Sequence, residues 1–378
     1  MQRRVARPRP DWERIVESQG LIYHHTQDSV YWDESVYYAF SSREVDDLEA
    51  ATNELQRIAL EAGQYVIDNR RFADFGIPDA AVDAIVWAWN AEPPAIYGRF
   101  DLAYDGAHPP KLLEYNADTP TALLEASVVQ WHWLKDCQPG ADQFNSIHER
   151  LVAKWKELKD YTSSPLYFAA AEDVQAEDLM TATYLRDTAI EAGHQTEALL
   201  AKDIGWDEDA RRFVDLEGRV IQSIFKLYPW EWLVHEEFGG HLLETYRDVQ
   251  WIEPIWKMLW SNKALLAILW EMYPNHPNLL PAYLDGPRDL QHYVRKPKMA
   301  REGANITLVG PGGTIETGGD YGEEGFVCQA LGPVGVFDRK YAVLGSWLVD
   351  GVSCGIGIRE SDGPISNNLS RFVPHMFR

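Results

Sequence analysis

The sequence predicts an α/β protein of more than one lobe, on three observations. Residues 165–200 alternate a short apolar run, a helical stretch and a second apolar run, the β–α–β rhythm of a parallel sheet. Residues 98–118 hold two strand-like segments around a turn at Gly106 to Pro110, which reads as an antiparallel hairpin. The last third follows a helix with glycine-rich strands. At 378 residues the chain exceeds most single cores, so two or three lobes are expected. They are placed at 1–162 (helical, with the hairpin), 163–252 (α/β) and 253–378, with Thr162–Pro165 and Asp285–Pro287 as candidate seams.

Taken in order, residues 43–70 repeat apolar side chains at Val45, Leu48, Ala51, Leu55, Ile58 and Ala59, a helix that Ser41-Ser42 can cap. Ile77-Pro78-Asp79 opens a second helix through Trp89. After the hairpin, Pro120 suits a helix entrance and Asp118 or Thr119 its cap, so a helix is expected from about Ala122 to Leu134. Another covers about 144–160. Leu166 to Ala171 is an apolar strand, Glu172 to Ala192 contains a helix closed by Gly193-His194, and Thr196 to Leu200 is the next strand. Strand, turn and strand follow from Arg212 to Phe225, turning at Glu217-Gly218. A helix spans Asn262 to Met272.

Composition narrows the function. A hydrophobic content of 46% and a charged content of 25% are those of an ordinary soluble enzyme. A net charge of −23 argues against nucleic acid as a partner, because such binding needs a basic surface. No apolar run reaches the ~18 residues of a membrane span, and none follows the basic start, so neither membrane nor signal peptide is expected. Cys137, Cys328 and Cys354 have no paired spacing, which fits reduced thiols in a cytoplasmic protein. Trp230, Trp232, Trp256, Trp260 and Trp270 read as packing.

The chemistry concentrates in two places. If the hairpin arms pair around the turn, Asp101 falls opposite Glu114 and Arg99 opposite Asn116, all on one face. Facing carboxylates repel, and a cation between them relieves the repulsion. Two carboxylates and an amide oxygen make a hard site suited to Mg²⁺, with Arg99 nearby for a phosphate. A solvated hairpin, or a surface Arg99–Asp101 pair, is the alternative. The second place is Tyr293 to Val309, a strand, loop and strand whose loop holds Lys296, Lys298, Arg301 and Gly303. Such a loop clamps a polyphosphate or is an exposed basic turn; neither a Walker A loop nor Gly-x-Gly-x-x-Gly is present. Lys263 starts a helix, where a cation is electrostatically misplaced unless an anion pairs with it. Glu172, Asp173, Glu177 and Asp178 read as a solvated helix start or an ammonium site. Cys137 has no placed base in His132, and His276 lies in a turn.

The segments Tyr97-Gly-Arg-Phe-Asp, Leu113-Glu-Tyr-Asn-Ala-Asp-Thr-Pro-Thr, Pro254 to Ala264, Pro274-Asn-His-Pro, Arg295-Lys-Pro and Gly303-Ala-Asn-Ile, in this order, resemble the synthetase domain of glutathionylspermidine synthase. They are more similar still to its stand-alone bacterial relatives, and the resemblance runs from about Trp12 to the C-terminus. It implies a circularly permuted ATP-grasp-like fold with a pre-ATP-grasp-like α/β lobe, since metal ligands precede nucleotide lysines. It implies an ATP-dependent acid–amine ligase acting on a small acid and a small amine through an acyl phosphate, with ATP and Mg²⁺. By that pattern Asp101, Glu114 and Asn116 hold Mg²⁺, while Lys263 and Lys296 bind ATP. Arg301, Gly303, Ala304 and Asn305 cover the phosphates, and Gln329, Leu331 and Gly332 flank the adenine. Arg99 stabilises the transferring phosphoryl group and Arg359 faces the reaction centre. Thr119, Thr121, Glu177 and Asp178 match the substrate region, and Lys226 to Glu231 depart from the glutathione-handling enzyme. A non-catalytic nucleotide-binding scaffold of this fold and a small-molecule kinase are the competing readings.

Overall fold

The structure, a computed structural model, describes residues 1–26, 29–172, 176–367 and 370–378. Two antiparallel sheets frame the candidate site. The first runs in the order Arg371–Val373, Val352–Ser361, Lys340–Val349, Tyr97–Ala103, Lys111–Asn116, with Gly335–Phe337 also paired to Lys340–Val349. The second runs Ala282–Tyr283, Phe326–Ala330, Tyr293–Pro297, Thr307–Gly310, Gly313–Glu316. The expected β–α–β unit is present as a four-stranded parallel sheet: Gln250–Ile252, Ser223–Leu227, Leu166–Ala170, Thr196–Leu200. Helix Glu177–Glu191 makes its crossover. A three-stranded sheet brings Gln2–Val5 and Val36–Phe40 beside His375–Phe377, so the two ends of the chain meet. The architecture is the mixed α/β one that the sequence predicts.

Helix Ser42–Asp68 begins at Ser41, whose hydroxyl accepts from the Glu44 backbone while the Glu44 carboxylate accepts from Ser41 N, a full capping box. Its apolar face covers the first sheet, and polar pins fix the register. Thr52 and Ser346 hydroxyls meet at 2.6 Å, and Tyr115 donates to Gln56 at 2.9 Å. Strand alternation does the rest: Phe100, Leu102 and Tyr115 turn into this core, so Arg99, Asp101, Glu114 and Asn116 turn to the opposite face. The other expected helices form as Asp79–Ala91, Ile147–Leu158 and Ala264–Met272.

Several expectations are corrected. The helix expected from about Ala122 begins at Leu123, directly after Ala122 at φ +63°, and runs through a π-helical stretch Glu125–Val129 into α-helix Gln130–Cys137. Neither Asp118 nor Thr119 caps it. Asp118 instead pairs with the buried Lys226 and accepts from Trp230 N, because a buried ammonium and a buried amide both require an acceptor. The segment from Arg212 divides: Arg212–Val214 pairs with Gly205–Asp207, whereas Ser223–Leu227 joins the parallel sheet. Trp232 is not core; it keeps 40% of its surface, while Trp230, Trp256 and Trp260 are buried. Glu172 precedes helix Glu177–Glu191 and pairs with Lys202, and Asp173 lies outside the described residues.

Candidate active site

The hairpin register is the expected one, with Arg99 opposite Asn116 and Asp101 opposite Glu114. Beyond Asp101 the ladder shifts, so that Leu102 faces Leu112 and Leu113 is the extra residue of a bulge. The bulge has a use. Leu113 O accepts from Lys296 Nζ at 2.9 Å, which ties the two sheets together across the site.

The four side chains on the exposed face are tightly paired. Arg99 donates to both Asp101 oxygens at 2.6 and 3.1 Å and to Thr121 O at 2.7 Å. It lies flat across the sheet because residue 345 is glycine; a Cβ there would stand 2.7 Å from Arg99 Cδ. Asn116 Nδ2 bridges Asp101 Oδ2 and Glu114 Oε1, 3.2 Å from each. Lys263 Nζ reaches Glu114 Oε2 at 2.9 Å and Ala300 O at 2.7 Å. The lysine at a helix start is therefore paired with an anion. Lys296 also donates to Gln329 Oε1 at 2.9 Å, and Gln329 Nε2 donates to Leu112 O at 2.9 Å.

Electrostatics follows from this packing. Burial pushes the Glu114 pKa up, but Lys263 and Lys296 outweigh it and hold the carboxyl at about 2. Burial pushes Lys296 down to about 8 despite the pull of Glu114. Asp101 is raised, because burial outweighs Arg99. Another carboxyl went unrecognised in the sequence. Glu125, buried in the π-helical stretch, accepts from Tyr31 at 2.7 Å; burial, then Glu177, raises it to about 7.

Two cavities meet at this cluster. One, of about 470 Å³, is walled by Val294, Ile306, Leu308, Gln329, Leu331, Gly332 and Tyr341. The other, of about 220 Å³, is lined by Arg99, Asn116, Thr119, Thr121, Glu177, Asp178, Arg301 and Arg359. Asp101, Glu114 and Gly303 line both. Gly303 lies in the left-handed region, φ +72°, and an added Cβ would stand 2.7 Å from Ser366 O, so the loop passes close to the facing strand connection. Arg301 crosses the smaller cavity to Thr119 Oγ1 at 2.8 Å and Glu231 Oε1 at 2.9 Å. Ala304 and Asn305 turn toward the 318–321 loop, where Asn305 donates to Gly318 O and Tyr321 O. Arg359 donates to Ser370 O and Asn367 O and lies 5.5 Å from the Tyr31 ring.

Sequence reasoning gave no role to Glu125 or Glu231, read Trp232 as packing, and did not pair Lys226 with Asp118. One signal was available: Lys226 interrupts the apolar run Ile224 to Leu227, and a lysine in a strand buried on both faces needs a partner. Among the described residues, no group of three or more His, Cys, Asp or Glu is gathered to hold a metal, and no helix is long and apolar enough to cross a membrane.

A protein of Haemophilus influenzae provisionally named an acid–amine ligase is 40% identical over 385 residues, covering 98% of this chain and 97% of that one. Trypanothione synthetase of Crithidia fasciculata is 28% identical, covering 82% of this chain and 51% of its own length. The bifunctional glutathionylspermidine synthetase/amidase of Escherichia coli is 27% identical, with coverages of 89% and 58%. The chain thus spans little more than half the length of these last two. A glutathione synthetase-like effector of Globodera pallida shares the fold at TM-score 0.58 and 8% identity over 98% of both chains. The profile described as glutathionylspermidine synthase preATP-grasp matches residues 3–378, and the chain belongs to that family.

Proposed function

We propose that this chain is an ATP-dependent carboxylate–amine ligase that joins a small acid to a small amine through an acyl phosphate. The observation that carries the reading is the junction of the two cavities: Asp101 and Glu114 stand between an apolar chamber and a charged one. The larger chamber suits adenine, with Gln329, Leu331 and Gly332 along it and Lys263 and Lys296 toward the phosphates. The smaller holds the reacting groups. The donor set fits Mg²⁺: the Asp101 and Glu114 carboxylates converge closely enough for one Asn116 amide to reach both, and two carboxylates with an amide oxygen leave coordination open for phosphate oxygens. Bound there by Asp101, Glu114 and Asn116, the ion would neutralise phosphate charge.

The acid's carboxylate oxygen attacks the γ-phosphorus of ATP, the bond to the β–γ bridging oxygen breaks, and ADP leaves. Arg99 stabilises the transferring group and Arg359 holds the carboxylate. The amine nitrogen then attacks the acyl carbon, the carbon–oxygen bond to phosphate breaks, and the amine gives up its proton. The loop from Arg301 to Asn305 keeps water from the acyl phosphate. Thr119 and Thr121 shape the acid side, and Glu177 and Asp178 attract the ammonium form of the amine. The lobes 1–162, 163–252 and 253–378 are part of the same proposal, as is a cytoplasmic setting that keeps the three free thiols reduced. The test is ADP release with mass-spectrometric detection of a new amide across a panel of acids and amines. ADP-free silence across the panel, from protein that binds ATP, would sink the reading in favour of a scaffold.

A further inference from the structure

The smaller cavity also constrains which acid it takes, an inference that rests on the ligase reading above. Its three guanidiniums are not equally open. Arg99 is held by Asp101 at 2.6 Å and Arg301 by Glu231 at 2.9 Å. Arg359 meets backbone carbonyls and the face of Tyr31, and among the described residues it pairs with no carboxylate. One guanidinium therefore stands ready for one substrate carboxylate. A second carboxylate on the substrate would enter a space lined also by Glu177, Asp178 and Glu302, where like charges repel.

The wall from the parallel sheet has another character. It consists of Leu227, at the end of its strand, then Pro229 and Trp232. Leu227 and Pro229 are buried, so their contact with the cavity is fixed by packing. Trp232 keeps 40% of its surface, an unusual exposure for a ring held in place on two sides. Tyr228 meets it edge to face at 5.6 Å, and the Arg301 guanidinium lies 5.5 Å from its centroid. Apart from the indole N–H, these three side chains offer no hydrogen-bond donor or acceptor. A polar peptide chain laid against them would lose hydration without compensation, whereas an apolar group would gain from burial.

We propose that the acid is a monocarboxylate with an apolar or aromatic body, its carboxylate on Arg359 and its body against Trp232, Pro229 and Leu227. Hydroxylamine can stand in for the unidentified amine. The acid takes the γ-phosphoryl group of ATP and ADP leaves; hydroxylamine nitrogen then attacks the acyl carbon, phosphate leaves, and a hydroxamate forms. With 3-phenylpropionate and hexanoate the wild-type kcat/KM for hydroxamate should exceed that for glutarate and triglycine by about tenfold or more. Saturation-transfer NMR with Mg²⁺ and a non-hydrolysable ATP analogue should show 3-phenylpropionate bound to wild type and about tenfold weaker on W232A, with analogue affinity unchanged. A preference for glutarate or triglycine, or 3-phenylpropionate binding indifferent to W232A, overturns the proposal. Trp232-dependent binding without hydroxamate from any acid would support this seat and count against the ligase reading instead.

Discussion

Lys263 and Lys296 approach Glu114 from a helix start and from a strand, and both are buried. Facing carboxylates considered alone would gain stability from losing one charge. Here the charges are already matched, with Arg99 on Asp101 and two lysines around Glu114. Glu114→Gln should therefore abolish ATP turnover and also cost about 2 kcal/mol, since it leaves two buried ammonium groups short of a counter-charge. Urea unfolding decides the sign, and a more stable variant would show that repulsion dominates. Glu125 gives a pH signature. Its carboxyl is raised from 4.5 to about 7 by burial and Glu177, with Tyr31 and Arg359 opposing. Between those values the folded chain holds a proton that the unfolded chain does not. The stabilisation is full at low pH and lost as pH rises through 7, about 3 kcal/mol in all. Glu125→Gln keeps an acceptor for Tyr31 and removes the titration. Its stability relative to wild type should climb by that amount between pH 5 and pH 8, and a pH-independent difference would contradict the assignment.

Asp118 organises three elements at once. Its carboxylate binds Lys226 on the parallel sheet and the Trp230 backbone at the start of helix Trp230–Leu233, and its own N–H donates to Ser261 Oγ at 2.9 Å. Lys226 and Asp118 are both buried, so removing one leaves an uncompensated charge. Lys226→Met should cost about 3–5 kcal/mol in chemical denaturation, and adding Asp118→Asn should recover part of it. No recovery would mean that packing, not charge, sets the cost. The same reach explains why the cap expected at Asp118 or Thr119 fails although the helix beyond it forms. Asp118-Thr119-Pro120 has the composition of a helix start, yet each polar side chain is claimed by a distant partner: Asp118 by Lys226, Thr119 by Arg301. Local propensity lost to tertiary demand.

Arg301 links the loop that would cover the reaction to two other parts of the molecule. Thr119 belongs to the connection after the acidic strand and Glu231 to the α/β region. Closure of the site is thus written into contacts between distant segments. Arg301→Ala should leave the fold intact while loosening the cover. ATP consumed per amide formed should then rise several-fold, as water reaches the acyl phosphate. Unchanged coupling would remove Arg301 from that role. Folding further joins residues 97–116 to residues 335–373 in one sheet and the first strand to the last in another, so the chain's two ends are interdependent.

The sequence by itself determined the α/β class, the parallel unit, the hairpin and its register, and the set Arg99, Asp101, Glu114 and Asn116 on one face. These follow from period-two alternation, turn chemistry and capping, which act over a few residues. Lys263 was legible as a cation needing an anion, but which anion was not, and Lys296, read as part of a basic loop, lies in the strand Tyr293–Pro297. The partners of Glu114, Asp118, Glu125 and Arg301 lie roughly 70 to 180 residues away, and no local pattern encodes them. Only the tertiary structure decided those pairings, along with the exposure of Trp232. Burial removes water as the competing partner, and a buried charge or hydroxyl must then take whichever complement the fold brings within reach.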